Sequence, residues 1–119
     1  MRYSIVRRGH FVDTQLKRGI LEVCVLAELC RGSSYGYRIQ KDLAPYVSLS
    51  ESALYHILKR QEQAGQVQAA SVEHEGRLRR MYSITKKGRA RLAEFREQWQ
   101  EVGRAIEFIE RAAFQNDEE

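Results

Sequence analysis

The longest periodic pattern in the chain lies in its C-terminal third. Leu92, Phe95, Trp99, Val102, Ile106, Ile109 and Ala113 recur at alternating spacings of three and four residues. That is the a/d pattern of three heptads on one helix face. Thr85 stands where it can cap this helix, which is expected to run to about residue 114. An earlier stretch is also helical. Asp13 or Thr14 can cap it, and it is expected to run to about Leu29. Leu16, Ile20, Val23, Ala27 and Cys30 form one apolar row, and Leu21, Val25 and Leu29 a second. A helix apolar on two sides must be covered on two sides. One row is expected to face its own domain and the other a second copy of the chain. Gly32 supplies the stop.

Between these helices the pattern shortens. Ser34 can cap a helix over Tyr35–Ala44, with Gly36, Ile39 and Leu43 inward and Pro45 as its limit. Ser50 can cap a further helix reaching Ala64, with Gly65 as its stop. Leu54, Ile57 and Leu58 are its buried face, while Ser52, Tyr55, His56, Lys59 and Arg60 point outward. Two short helices in tight succession, the second rich in exposed polar groups, make a helix-turn-helix pattern. Val67, Ala69 and Val72 then mark a strand over 66–73, and Met81, Tyr82 and Ile84 a second over 79–84. The stretch from His74 to Leu78 is the turn, and the hairpin reads as a wing. The fold class expected is mostly α with a small β component (α+β): a winged helix-turn-helix followed by a long C-terminal dimerisation helix. The chain divides into a basic arm (1–12), the winged domain (13–84), the dimerisation helix (85–114) and an acidic tail (115–119).

Charge adds to this picture. The chain has 119 residues, suited to one domain, and a formal net charge of +4. Residues 1–91 hold 17 Lys/Arg against 8 Asp/Glu, and residues 92–119 hold 3 against 8. A basic body with an acidic end points to a polyanionic partner for the body. Cys24 and Cys30 lack companions at ligand spacing and are expected to be buried and reduced. His10, His56 and His74 are scattered, with no nucleophile–base, metal-ligand or phosphate-loop arrangement around them. Catalytic residues, metal ligands and cofactors are therefore not expected. Nor is a membrane span, and a cytoplasmic protein is the expectation.

The candidate chemistry is DNA binding. Phosphate contacts are expected from Lys41, Lys59, Arg60 and the wing residues Arg77, Arg79 and Arg80, and base contacts from Ser52, Tyr55 and His56. Tyr35, Tyr37, Ser50 and Lys86 complete the expected DNA face. Two copies imply a palindromic double-stranded operator. The dimer interface is expected to use Leu16, Ile20, Leu92, Phe95, Trp99, Val102, Ile106 and Ile109. Two other readings fit the same residues: a helical dimer that binds small molecules, or a winged-helix module that binds proteins.

Several short motifs resemble the PadR family of bacterial transcription regulators. They are Leu16-Lys17-Arg18-Gly19-Ile20-Leu21, Tyr35-Gly36-Tyr37-Arg38-Ile39, Leu49-Ser50-Glu51-Ser52-Ala53-Leu54-Tyr55, and Arg79-Arg80-Met81-Tyr82-Ser83-Ile84-Thr85 with Gly88. The likeness spans about Gln15 to Ile109, and the single C-terminal helix is similar to the short, LmrR-like subfamily. It implies a homodimeric repressor. In that subfamily paired tryptophans sandwich flat aromatic ligands, so the resemblance places an effector among Trp99, Phe95, Ile106, Val23 and Ala27. The chain departs from the family pattern at Ala53, where threonine is usual, and at Gln61 and Gln66, where leucines are usual. Gly103 stands where the drug-sensing members carry an acidic residue.

Overall fold

The computed structural model describes residues 14–115. The basic arm, Asp13 and the last residues of the acidic tail, 116–119, lie outside the described residues. The elements are α1 (Thr14–Cys30), β1 (Ser34–Tyr35), α2 (Gly36–Leu43), α3 (Glu51–Gln63), β2 (Val67–His74), β3 (Arg77–Ile84) and α4 (Lys86–Ala113). Three helices pack around one core, and a three-stranded sheet of order β1-β3-β2 closes its side. The result is a winged helix-turn-helix with a long terminal helix.

The core takes Leu21, Val25, Leu26 and Leu29 from α1, Ile39 and Leu43 from α2, and Leu54, Ile57 and Leu58 from α3. Val67 and Tyr82 join it from the wing. Leu26, Leu29, Ile39, Leu54, Leu58 and Val25 are the largest side chains wholly shut from solvent. Burying each such side chain contributes about 1.5–3 kcal/mol, so the apolar periodicity decides which helix faces meet. Burial pushes the Tyr82 phenol above its ordinary pKa.

Three expectations are corrected. Ser34 does not cap α2. Ser34 and Tyr35 form the short strand β1, with Ser34 opposite Tyr82 and Tyr35 opposite Met81. Strand pairing satisfies backbone groups that a single cap bond would leave open. Tyr35 is the N-cap residue instead and makes no side-chain cap bond. Cys30 is exposed rather than core, while Cys24 is half-buried and burial pushes its thiol pKa up. The wing strands also start elsewhere than expected. The turn is only two residues, Glu75 and Gly76, both at positive φ (53° and 78°). Two successive left-handed residues match the twist of the flanking strands.

Thr85 joins the wing to α4. Its hydroxyl accepts from Gly88 N at 3.1 Å, capping the helix, and donates to Gly65 O at 2.6 Å. Its backbone N–H donates to Gln66 O at 3.0 Å. Gly88 is buried against this junction. A Cβ at that position would lie 2.3 Å from Gln66 O. Only glycine lets α4 start so close to the α3–β2 connection. From there α4 runs for 28 residues, about 42 Å at 1.5 Å per residue.

Candidate nucleic-acid interface

The recognition candidate is α3. Ser50 Oγ accepts from Ala53 N at 3.0 Å and starts the helix. Its hydroxyl keeps an O–H donor and a second lone pair beside that cap bond. Leu54, Ile57, Leu58 and Gln61 turn inward. Ser52, Tyr55, His56 and Lys59 are left exposed on the outer side. Three side-chain bonds fix how α3 sits. Gln40 Nε2 donates to Leu49 O at 2.9 Å and closes the turn between α2 and α3. Gln61, which departs from the leucine of the family pattern, donates from Nε2 to Glu22 O of α1 at 2.9 Å. Arg60 Nη2 lies 2.7 Å from Glu22 Oε2.

This last pair changes the expected role of Arg60. Glu22 offsets its charge, so a phosphate would have to draw the guanidinium away from that carboxylate. Arg80 differs in the same way, with Nη2 3.0 Å from Glu62 Oε2 near the end of α3. Arg79 is half-buried, with Cζ 4.3 Å from the centroid of the Tyr35 ring. His74 packs near the same ring, centroid to centroid 5.8 Å at a tilt of 46°. Tyr35 is thus spent holding the wing to the start of α2 by stacking. Of the three wing arginines, Arg77 alone is exposed without an ion pair or ring contact among the described residues.

Tyr55 meets α2 through Gly36. A Cβ on Gly36 would lie 2.9 Å from Tyr55 Oη, so the glycine lets the phenol lie against the N-terminus of α2. Tyr55 keeps 48% of its surface exposed. Around it a cleft of about 190 Å³ is lined by Tyr35, Tyr37, Arg77 and Arg79 together with Gly36 and Tyr82. That is small for an organic ligand and suits a phosphate or a base edge. Tyr37 and Lys41 are exposed on α2, four residues apart and so on one face, and Lys86 is exposed at the start of α4. Periodicity and composition singled out Tyr55 and the arginines. Gln40, Glu22 and Glu62, which set the geometry of that surface, carry no local signal.

The other expected site lies along α4. Leu92 packs against the core and Phe95 is half-buried beside it. Beyond them Trp99 is 44% exposed, Val102 41%, Ile106 46% and Ile109 51%. Phe95 and Trp99 stack, with centroids 5.8 Å apart and planes at 16°. On α1, Leu16 and Ala27 are exposed, Ile20 is half-buried, and Val23 is already buried within its own chain. The apolar row of α4 is therefore uncovered in the single chain for most of its length.

A sequence profile of the transcriptional regulator PadR-like family matches residues 25–94, more than half of the chain. This chain belongs to the PadR-like family. The fold has the same relatives. The smu.1704 protein of Streptococcus mutans UA159 is 34% identical over 77% of this chain and 87% of its own, with a TM-score of 0.71. A Streptococcus transcriptional regulator is 28% identical over 82% of this chain and 99% of its own, with a TM-score of 0.74. A PadR family transcriptional regulator of Eggerthella lenta is 28% identical over 80% of this chain and 85% of its own, with a TM-score of 0.71. As in the family, the role of this PadR-like chain is regulatory. No helix among the described residues is long and apolar enough to cross a membrane.

Proposed function

We propose that this PadR-like protein is a homodimeric repressor that binds a palindromic operator through α3 and the wing and is released by a planar aromatic effector held at Trp99, as in the LmrR-like subfamily. Ser52, Tyr55 and His56 read base edges. Lys59 and Arg77, exposed cations without an ion pair among the described residues, hold phosphates. The observation that carries the dimer and the effector is one surface: the uncovered apolar row of α4 with the Phe95–Trp99 stack inside it. An exposed row of this length is covered in a stable protein, and the heptad spacing fits a second copy of the same helix. Two-fold pairing brings Trp99 near its counterpart, and two indole faces can hold a flat apolar molecule. Phe95, Ile106 and Ala27 line that space. Val23 contributes little, because its own chain already buries it.

The ligand weakens DNA binding only by preferring a dimer geometry whose two α3 helices are wrongly spaced for the operator. Planar dyes of the acriflavine or Hoechst type test this. They quench Trp99 fluorescence saturably, and they release promoter DNA at the same concentrations. Trp99→Ala keeps the dimer in sedimentation but abolishes both effects. Equal dye binding by Trp99→Ala, or no saturable quenching of the wild type across such a panel, returns Trp99 to a packing role.

A further inference from the structure

On the flank of α3 away from the wing, a second cleft of about 310 Å³ opens between α1 and α3. Leu21, Ala53 and Ile57 form its floor, and Lys17, Arg18, His56 and Arg60 its rim. The charges on that rim are not equivalent. Arg60 is neutralised by Glu22 at 2.7 Å. Lys17 and Arg18 are exposed and make no ion pair among the described residues. The cleft therefore carries a positive excess that nothing in the described chain offsets.

Its position gives that excess a use. At about 100° per residue, Tyr55 faces the wing while Ala53, His56, Ile57 and Arg60 face the α1 cleft, roughly 150° away around the helix. Ser52 and Lys59 lie between the two. A helix seated in a major groove has a wall of phosphates on each side, because the groove is about 12 Å wide. Arg77 and the wing meet one wall. The cleft faces the other. The α1 face that lines it is centred about 125° from the middle of the Leu16–Ile20–Ala27 row, with Arg18 opposite that row and Lys17 about 80° from it, so the Arg18 side stays open if that row is covered by a second copy.

We infer that Lys17 and Arg18 form a second phosphate-binding site, which takes the DNA backbone on the side of the recognition helix opposite the wing. Glu22 limits this site by holding the Arg60 charge to itself. The inference rests on α3 being the DNA-reading helix, and the experiment separates the two.

The test measures affinity for a duplex of the protein's own promoter and for a random duplex across a salt series. Lys17→Gln with Arg18→Gln removes two phosphate contacts from each protomer of the dimer, four in all, so the slope of log K against log salt falls by about 3.6 on both duplexes. Between about 50 and 200 mM salt the wild type then loses roughly a hundredfold more affinity than the variant. Thermal midpoint and sedimentation stay unchanged, since both side chains are exposed. Glu22→Gln acts in the opposite direction. It frees the Arg60 guanidinium in each protomer, so binding tightens and the slope steepens by up to about two. If the wild type binds with a strong salt dependence and the double variant shows the same slope, the second site is refuted while the reading of α3 stands. A loss confined to the promoter duplex also refutes it, because phosphate contacts do not distinguish sequences. If the wild type binds neither duplex at low salt, the reading of α3 fails and this site with it.

Discussion

Gly88→Ala isolates the contact that aims α4 at everything beyond the wing. The added Cβ would stand 2.3 Å from Gln66 O, 2.7 Å from Ile84 Cγ1 and 3.3 Å from Gln66 C. Two of those three atoms are backbone and cannot swing aside. The start of α4 must withdraw, and Thr85 with it, although Thr85 bonds both Gln66 O at 3.0 Å and Gly65 O at 2.6 Å. Overpacking costs about 2 kcal/mol at the middle of its usual range. Losing both hydrogen bonds adds about 2 kcal/mol, and the helix preference of alanine returns at most about 1 kcal/mol. The net loss is about 3 kcal/mol, or a fall in Tm of roughly 10 °C for a chain of this size. Denaturant melts at one fixed protomer concentration check it, because assembly shifts apparent stability. The same substitution at Gly103 is the internal control. It lies in the same helix with nothing within 4 Å of an added Cβ, so alanine there stabilises by about 1 kcal/mol through helix preference alone. A Gly88→Ala protein within about 1 kcal/mol of wild type would falsify the packing argument. A clear loss at Gly103 would instead place a partner's side chain against that glycine.

Glu75 holds a φ of 53° in the wing turn, a conformation that costs an L-residue about 1 kcal/mol. Glu75→Asn is expected to raise stability by roughly 0.5–1 kcal/mol; an unchanged urea midpoint would remove the claim of strain. Glu28 is 7% exposed in α1. Burial, and then a hydrogen bond and like charge from Asp42, raise its pKa above the ordinary 4.5, against the pull of Arg31 and Arg38. A raised carboxyl pKa means that the folded chain holds the proton more tightly. The stability so gained is complete below 4.5 and is lost as pH rises through the folded value. Glu28→Gln therefore gains on the wild type as pH rises toward neutral, and a stability difference that does not vary with pH would contradict this. On DNA, Arg77→Ala is expected to lower the salt slope by about two, one for each protomer of the dimer. Arg80→Ala is expected to change it less, since Glu62 already balances that charge at 3.0 Å; equal effects would mean that the ion pair opens on binding. Val102→Glu with Ile106→Glu puts charge into the α4 row and is expected to leave a monomer or an unfolded chain. An intact dimer in sedimentation would place the interface elsewhere.

What was legible in the chain is what depends on neighbours in sequence. The cap at Ser50 with Leu54, Ile57 and Leu58 behind it located α3, and Thr85 with the heptad row located α4. Both helices formed as expected because caps act within one turn and apolar periodicity acts within one face. The hairpin was visible for the same reason, although its two-residue turn was tighter than the five-residue stretch expected from composition. Family resemblance carried the assembly of these pieces, and the profile match over 25–94 bears out the family.

Tertiary structure decided how each of those groups is used. Ser34 reads as a cap in sequence, yet it pairs with Tyr82, far along the chain. Arg60, Arg77, Arg79 and Arg80 read alike as exposed cations. In the fold one is tied to Glu22, one is stacked on Tyr35, one is tied to Glu62, and Arg77 is left open. Gly88 and Gly103 stand in one helix, but only the first has a carbonyl where its Cβ would be. The physical reason is common to all of them. Helix preference and periodicity are properties of adjacent residues. A charge pair, a ring stack or a steric limit depends on what a distant segment brings within about 4 Å, and that distance exists only once the chain has folded.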